Sequence, residues 1–180
     1  MQEQQVRTAV ERWVEQVVVG FDLCPFARRE LVRGAVRFAV SPATAAADLL
    51  AELHAELQYL CDHPEVETTL LIHPGVLTDF DDYLDFLAEA EALLEYLELE
   101  GVFQVASFHP QYQFADAAPD DAGNYTNRSP YPLLHLLRED SLTLAIDGYP
   151  DVEGIPERNV ARMREMGEAR LQALLAACVG

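Results

Sequence analysis

Thr68-Thr69-Leu70-Leu71-Ile72-His73-Pro74-Gly75 decides the fold. Five β-branched and aliphatic-rich residues read as a strand, and the proline after them stops it, because proline cannot donate to a ladder. The same punctuation recurs on both sides. Residues 35–40, Ala-Val-Arg-Phe-Ala-Val, end in Ser41-Pro42, and residues 102–108, Val-Phe-Gln-Val-Ala-Ser-Phe, end in His109-Pro110. Two stretches of helical period separate these strands. Residues 43–61 put Leu49, Leu50, Leu53, Leu57 and Leu60 on one face, with Ser41 as cap and Pro42 in the first turn. Residues 79–98 do the same with Phe80, Tyr83, Leu84, Leu87, Leu94 and Leu97, with Thr78 as cap. Strands alternating with helices predict one α/β domain over residues 1–180. Its sheet is small and mainly parallel, with about three strands from consecutive βα units. Helices flank it: residues 3–19 before, and a last helix from Ile155 after a turn at Tyr149-Pro150-Asp151. Gly167 lies in the apolar stripe of that last helix, which predicts close packing there.

In a parallel sheet the carboxyl ends share one edge, and open α/β sheets bind ligands at that edge. Ser41, His73 and His109 would then border one crevice. Histidines so placed supply acid–base chemistry or hold a divalent metal; otherwise each caps a helix or satisfies a local backbone group.

Ser107 to Glu139 is the densest stretch chemically. Residues 111–123 have no clear period and carry Tyr112, Asp116, Asp120 and Asp121. Such a loop reads as a binding loop, its acids as ligands for a hard cation or as ordinary turn residues. Asn124 and Asn127 can fold the loop on itself. Ser129-Pro130 reads as a helix start, with free backbone N–H groups for an anion and Arg128 as a planar fork beside them. Arg128 can equally pair with Glu139 or a loop aspartate. From Pro130 the run Leu133, Leu134, Leu136, Leu137 reads as a buried helix, and Tyr131, His135 and Arg138 share a stripe on it. Cys24, in the apolar loop 21–27, is a nucleophile if a base adjoins it and a small buried hydrophobe if not.

There are 31 acids against 12 bases, and every base is arginine. A net charge of −19 repels nucleic acid and anionic membranes. Lysine-free composition fits either a GC-rich coding bias or, the reading preferred, a salty cytoplasm in which acids hydrate the surface. No run of ~18 apolar residues suggests a membrane span, and no signal-like start is visible. Cys24, Cys61 and Cys178 form no CxxC pair, which favours a reducing cytoplasm. The residues together predict an enzyme acting on a small anionic substrate, bearing phosphate or carboxylate, in the crevice at the strand ends. His73, His109, His135 and Cys24 are the catalytic candidates. Ser41, Tyr112, Asn124, Asn127, Arg128, Ser129 and Arg138 are the binding candidates. A divalent metal, if held, would draw on His73, His109, Asp116, Asp120 or Asp121. The alternative is a non-catalytic regulatory module that binds a metabolite or metal.

Four segments carry a resemblance. They are Leu23-Cys24-Pro25-Phe26-Ala27, then residues 107–114 (SFHPQYQF), then Asn124-Tyr125-Thr126-Asn127-Arg128-Ser129-Pro130-Tyr131-Pro132 running on through residues 133–139, then Ile155-Pro156-Glu157-Arg158-Asn159. They resemble the bacterial family of domain of unknown function 1415, over nearly the whole chain. In that family Asn often stands where this chain has Asp22. The resemblance implies a bacterial cytoplasmic protein with a shared site and brings no reaction with it.

Overall fold

The structure, a computed structural model, describes residues 3–149 and 151–180. Pro150 of the expected turn lies outside the described residues. Strands β1 (Val36–Val40), β2 (Thr68–Ile72), β3 (Phe103–Phe108) and β4 (Leu133–Arg138) form one sheet in the order β1-β2-β4-β3. β1 and β2 are parallel, from Val36↔Thr68 to Val40↔Ile72. β4 runs antiparallel between β2 and β3. The sheet is therefore mixed and four-stranded, not a mainly parallel sheet of three.

The fourth strand replaces the helix expected from Pro130. The run Leu-Leu-His-Leu-Leu-Arg is apolar on both sides because β4 is central and covered on both faces. Leu133, Leu134 and Leu136 are each 0% exposed. A short continuous apolar run does not distinguish a doubly covered strand from a buried helix. With the helix gone, Ser129 caps nothing, and its hydroxyl donates to Tyr131 O at 2.7 Å. Because β2 and β3 both oppose β4, β1, β2 and β3 still point the same way, and their carboxyl ends still share an edge.

Helices α3 (Ala46–Asp62) and α4 (Phe80–Tyr96) cover one face, packing Leu49, Leu53, Leu57, Leu60, Tyr83 and Phe86 on Leu71, Leu134 and Leu136. The other face is covered by α1 (Glu3–Trp13), α6 (Ile155–Met166) and α7 (Glu168–Val179) around Leu70, Ile72 and Leu133. Each fully buried leucine contributes about 1.5–3 kcal/mol of transfer free energy, which holds both layers to the sheet. Short helices α2 (Ala27–Val32) and α5 (Glu139–Asp147) and a 3-10 turn, Ala122–Thr126, lie between these elements.

Local expectations shift in three places. Ser41 does not cap α3; its Oγ accepts from Ala43 N at 3.0 Å, and the helix begins later, after Ala45. Asp79, not Thr78, caps α4, accepting from the N–H groups of Asp81 at 2.9 Å and Asp82 at 3.3 Å. The last helix breaks at Gly167, whose φ of +79° lies in the left-handed region, with nothing within 4 Å of where a Cβ would stand. That glycine turns the chain; it does not allow close packing. The N-terminal helix continues past Trp13 as a wider π turn, Val14–Val19.

Candidate functional site

The carboxyl edge gathers Ser41, His73 and His109, which are 4%, 0% and 0% exposed. Tyr83 on α4 stands between the histidines. Its ring stacks on His73 at 5.8 Å and tilts against His109 at 5.1 Å. Its hydroxyl donates to Leu133 O at 2.8 Å and accepts from Phe108 N at 3.0 Å, so it staples β4 to the end of β3. The backbone partners fix both imidazole tautomers, since a carbonyl only accepts and an N–H only donates. His73 Nδ1–H donates to Val76 O at 2.9 Å, which leaves Nε2 a lone pair with no partner. Burial pushes its pKa down to about 4, and the neighbouring His109 adds to that. His109 Nε2–H donates to Leu77 O at 3.2 Å and Nδ1 accepts from Gln111 N at 3.0 Å, so both its nitrogens are occupied. Burial lowers its pKa too.

His135 lies elsewhere. It pairs with Leu70 and Ala106 and so points to the opposite face of the sheet from His73. The Thr68 hydroxyl spends its one proton on Leu136 O at 2.5 Å, so it accepts from His135 Nε2–H at 2.8 Å. Burial alone pushes His135 down to about 4.

The candidate binding residues staple their own loop. Arg128 donates from Nε to Tyr112 O at 3.0 Å and from Nη2 to Pro119 O at 2.8 Å, with its guanidinium over the Tyr125 ring at 4.6 Å. Asn124, fully buried, accepts from Phe114 N at 3.0 Å and donates to Ala118 O at 2.8 Å. Asn127 donates to Ser107 O at 3.0 Å. Tyr112 packs between Phe80 and Phe114, with ring centroids 5.2 and 5.1 Å away. Arg128 does line a cleft of about 410 Å³, but Asp79 and Asp81 line it as well and oppose an anion there. Arg138 donates to Leu60 O at 2.7 Å, to His63 O at 3.1 Å and to Val66 O at 2.9 Å. It thus places a cation on the carbonyl end of α3, where the helix dipole favours one. Asp116 and Asp120 are exposed. Asp121 accepts from Gly123 N at 2.8 Å and from Arg164 Nη2 at 2.6 Å, and that arginine holds its carboxyl down at about 2. Among the described residues no three His, Cys, Asp or Glu side chains gather as metal ligands.

A cavity lies on the other face of the sheet, against the end of β3. It measures about 580 Å³, within the range of small-molecule sites. Its walls are apolar: Val18 of the π turn, Leu23, Phe108, Phe114, Ile155 and Val160. Cys24, Thr126, Asn127 and Asn159 bring polar atoms, and Glu157 and Arg164 stand with them. Burial pushes the Cys24 thiol up, with Asp22 adding to the rise and N–H groups of Phe26 and Ala27 opposing it. None of the five histidines lines this cavity. The Cys24 loop is tied to α6 by Asn159 Nδ2, which donates to Leu23 O at 2.7 Å, and by Arg162, which donates to Phe21 O.

A family model matches residues 5–173 of the chain. The chain belongs to DUF1415, a family of proteins of unknown function. No curated protein and no solved structure matches it. The four segments on which the DUF1415 resemblance rests supply most of the cavity wall: Leu23 and Cys24, Phe108 and Phe114, Thr126 and Asn127, Ile155 to Glu157 and Asn159. The departure at Asp22 also has a physical account. Its φ is +53°, a left-handed conformation that Asn and Asp tolerate better than other non-glycine residues. Sequence reasoning missed Tyr83, taken only as an apolar stripe residue, and Asn159. A signal for Asn159 existed: it ends the Ile-Pro-Glu-Arg-Asn segment of this DUF1415 chain.

Proposed function

We propose that this DUF1415 protein is a binding module that takes a small molecule with an apolar body into the cavity beside Cys24. The carrying observation is the make-up of the wall, three separate regions of the chain and all four resemblance segments meeting around one apolar space. Thr126, Asn127 and the Cys24 thiol orient the polar end of the ligand. Glu157 at the cavity and the net charge of −19 favour a neutral or cationic molecule over an anion. The polar groups are poorly suited to catalysis. Arg164 is paired with Asp121, no imidazole adjoins Cys24, and burial keeps its thiol protonated.

The test is a thermal-shift screen of neutral and cationic metabolites against wild type and Ala161→Phe, which adds a ring at an exposed position on the cavity rim. A ligand at 100 times its Kd stabilises by about 2.7 kcal/mol, about 5–10 °C in a chain of this size. Loss of that shift in Ala161→Phe is expected. Binders that stabilise both proteins equally would contradict the assignment.

A second reading keeps acid–base chemistry at His73, and its motive is the neutral ring with an unpartnered Nε2. It requires the segment between β2 and α4 to open, because His73 is 0% exposed. Slow exchange of the Val76 and Tyr83 amides, limited by global unfolding, would exclude it.

A further inference from the structure

β1 is an edge strand, and its outer side is bare. Ser41 N donates to Ile72 O at 2.7 Å and Thr68 N to Ala35 O at 3.4 Å, so the odd-numbered residues of this strand bond to β2. Val36, Phe38 and Val40 therefore turn their N–H and C=O groups outward. Among the described residues, no backbone or side-chain hydrogen bond reaches those groups. A groove of about 330 Å³ runs along this edge, with Glu3 and Arg7 of α1 on one side and Glu52 and Glu56 of α3 on the other.

We propose that this edge pairs with the same edge of a second copy of the chain. Antiparallel pairing centred on Phe38 sets Phe38 opposite Phe38 and Val36 opposite Val40. In that register all six outward groups find partners at once, three N–H and three C=O, each donor meeting an acceptor. Charge opposes self-association less here than over the chain as a whole. The groove holds Arg7 and Arg37 against Glu3, Glu52 and Glu56, far nearer balance than the 12 arginines against 31 acids of the whole chain. Arg37 is further held by Glu56, with Nε–Oε2 at 2.8 Å. Around a two-fold axis normal to the sheet, α1 meets α1 in opposite senses, with Arg7 already neutralised by Glu11 of its own helix, Nε–Oε1 at 2.7 Å. Bare edges of this kind are docking templates unless covered or blunted by charge.

Sedimentation velocity tests the pairing, on the full chain at roughly 100 µM, a concentration that populates dimers of micromolar Kd. A dimer is expected, and added potassium chloride should strengthen it as the Debye length falls from about 10 Å at 0.1 M to about 3 Å at 1 M. Val40→Pro removes an outward N–H that serves no bond to β2, and should weaken the dimer at least about tenfold with unchanged circular dichroism. Val36→Pro should do the same at the start of the strand. Hydrogen exchange on wild type gives an independent readout: the Phe38 and Val40 amides should gain protection as concentration rises. A monomer at all concentrations, a folded Val40→Pro that dimerises like wild type, or a monomer that takes up an extended peptide on this edge would each overturn the proposal.

Discussion

Lowering the pH from 7 to 5 should destabilise this protein through buried His73 and partly buried His135. His73 and His135 are held near 4 in the fold by burial, against 6.5 when solvated. A histidine with a depressed folded pKa contributes stability that is complete above 6.5 and is lost as the pH falls toward 4. At pH 5.5 each binds about 0.9 more protons unfolded than folded, so the two together give a slope of roughly 2.4 kcal/mol per pH unit, with stability rising as pH rises. His109, also lowered, adds to the same sign. Between pH 7 and 5 the two together remove about 4 kcal/mol, a large share of the about 5–15 kcal/mol of a typical domain. The window is clean because most carboxylates titrate below it. Urea midpoints read at half-unit steps from pH 7.5 to 5 measure the slope. His135→Gln should remove about half of the part that His73 and His135 supply. A flat profile between pH 6.5 and 5, or one that rises as pH falls, would refute burial of neutral rings.

Three further outcomes follow from single contacts. Tyr83→Phe leaves Leu133 O and Phe108 N without their shared hydroxyl and should cost about 2–4 kcal/mol, read by urea unfolding. Arg138→Met strips a cation from two carbonyls at the end of α3 and one in the loop after it, and should cost about 2–3 kcal/mol, lowering Tm by about 5–10 °C in calorimetry. Labelling with a small disulfide reagent should modify exposed Cys61 first, then half-buried Cys24, whose thiol is pushed up, and buried Cys178 only on unfolding.

The strand ends were legible because proline carries a physical meaning there. Pro42, Pro74 and Pro110 mark the ends of β1, β2 and β3, and the common edge they define is present. β4 was not legible, because covering a strand on both faces erases the alternation that would identify it. That one misreading carried the anion site with it: Ser129-Pro130 looks like a cap and first turn only if a helix follows. Arg128, Asn124 and Arg138 were read from the sequence as ligand-binding groups, and in the fold their side chains bond to backbone groups of the protein itself. Their partners are carbonyls from loops and helix ends, and no local pattern announces those. The cavity was beyond reach for a different reason. Its wall joins residues more than 130 positions apart, such as Leu23 and Asn159, and only the packed fold brings them together. What the sequence did offer was the grouping of four segments, and those are the ones that meet.

Diffraction from crystals pressurised with xenon would show whether the space beside Cys24 accepts an apolar ligand, since an apolar cavity takes up xenon whatever its natural ligand. Xenon is expected between Phe108, Phe114 and Val160 in wild type, and none there in Ala161→Phe. Xenon absent from that space, or bound instead between His73 and His109, would contradict it.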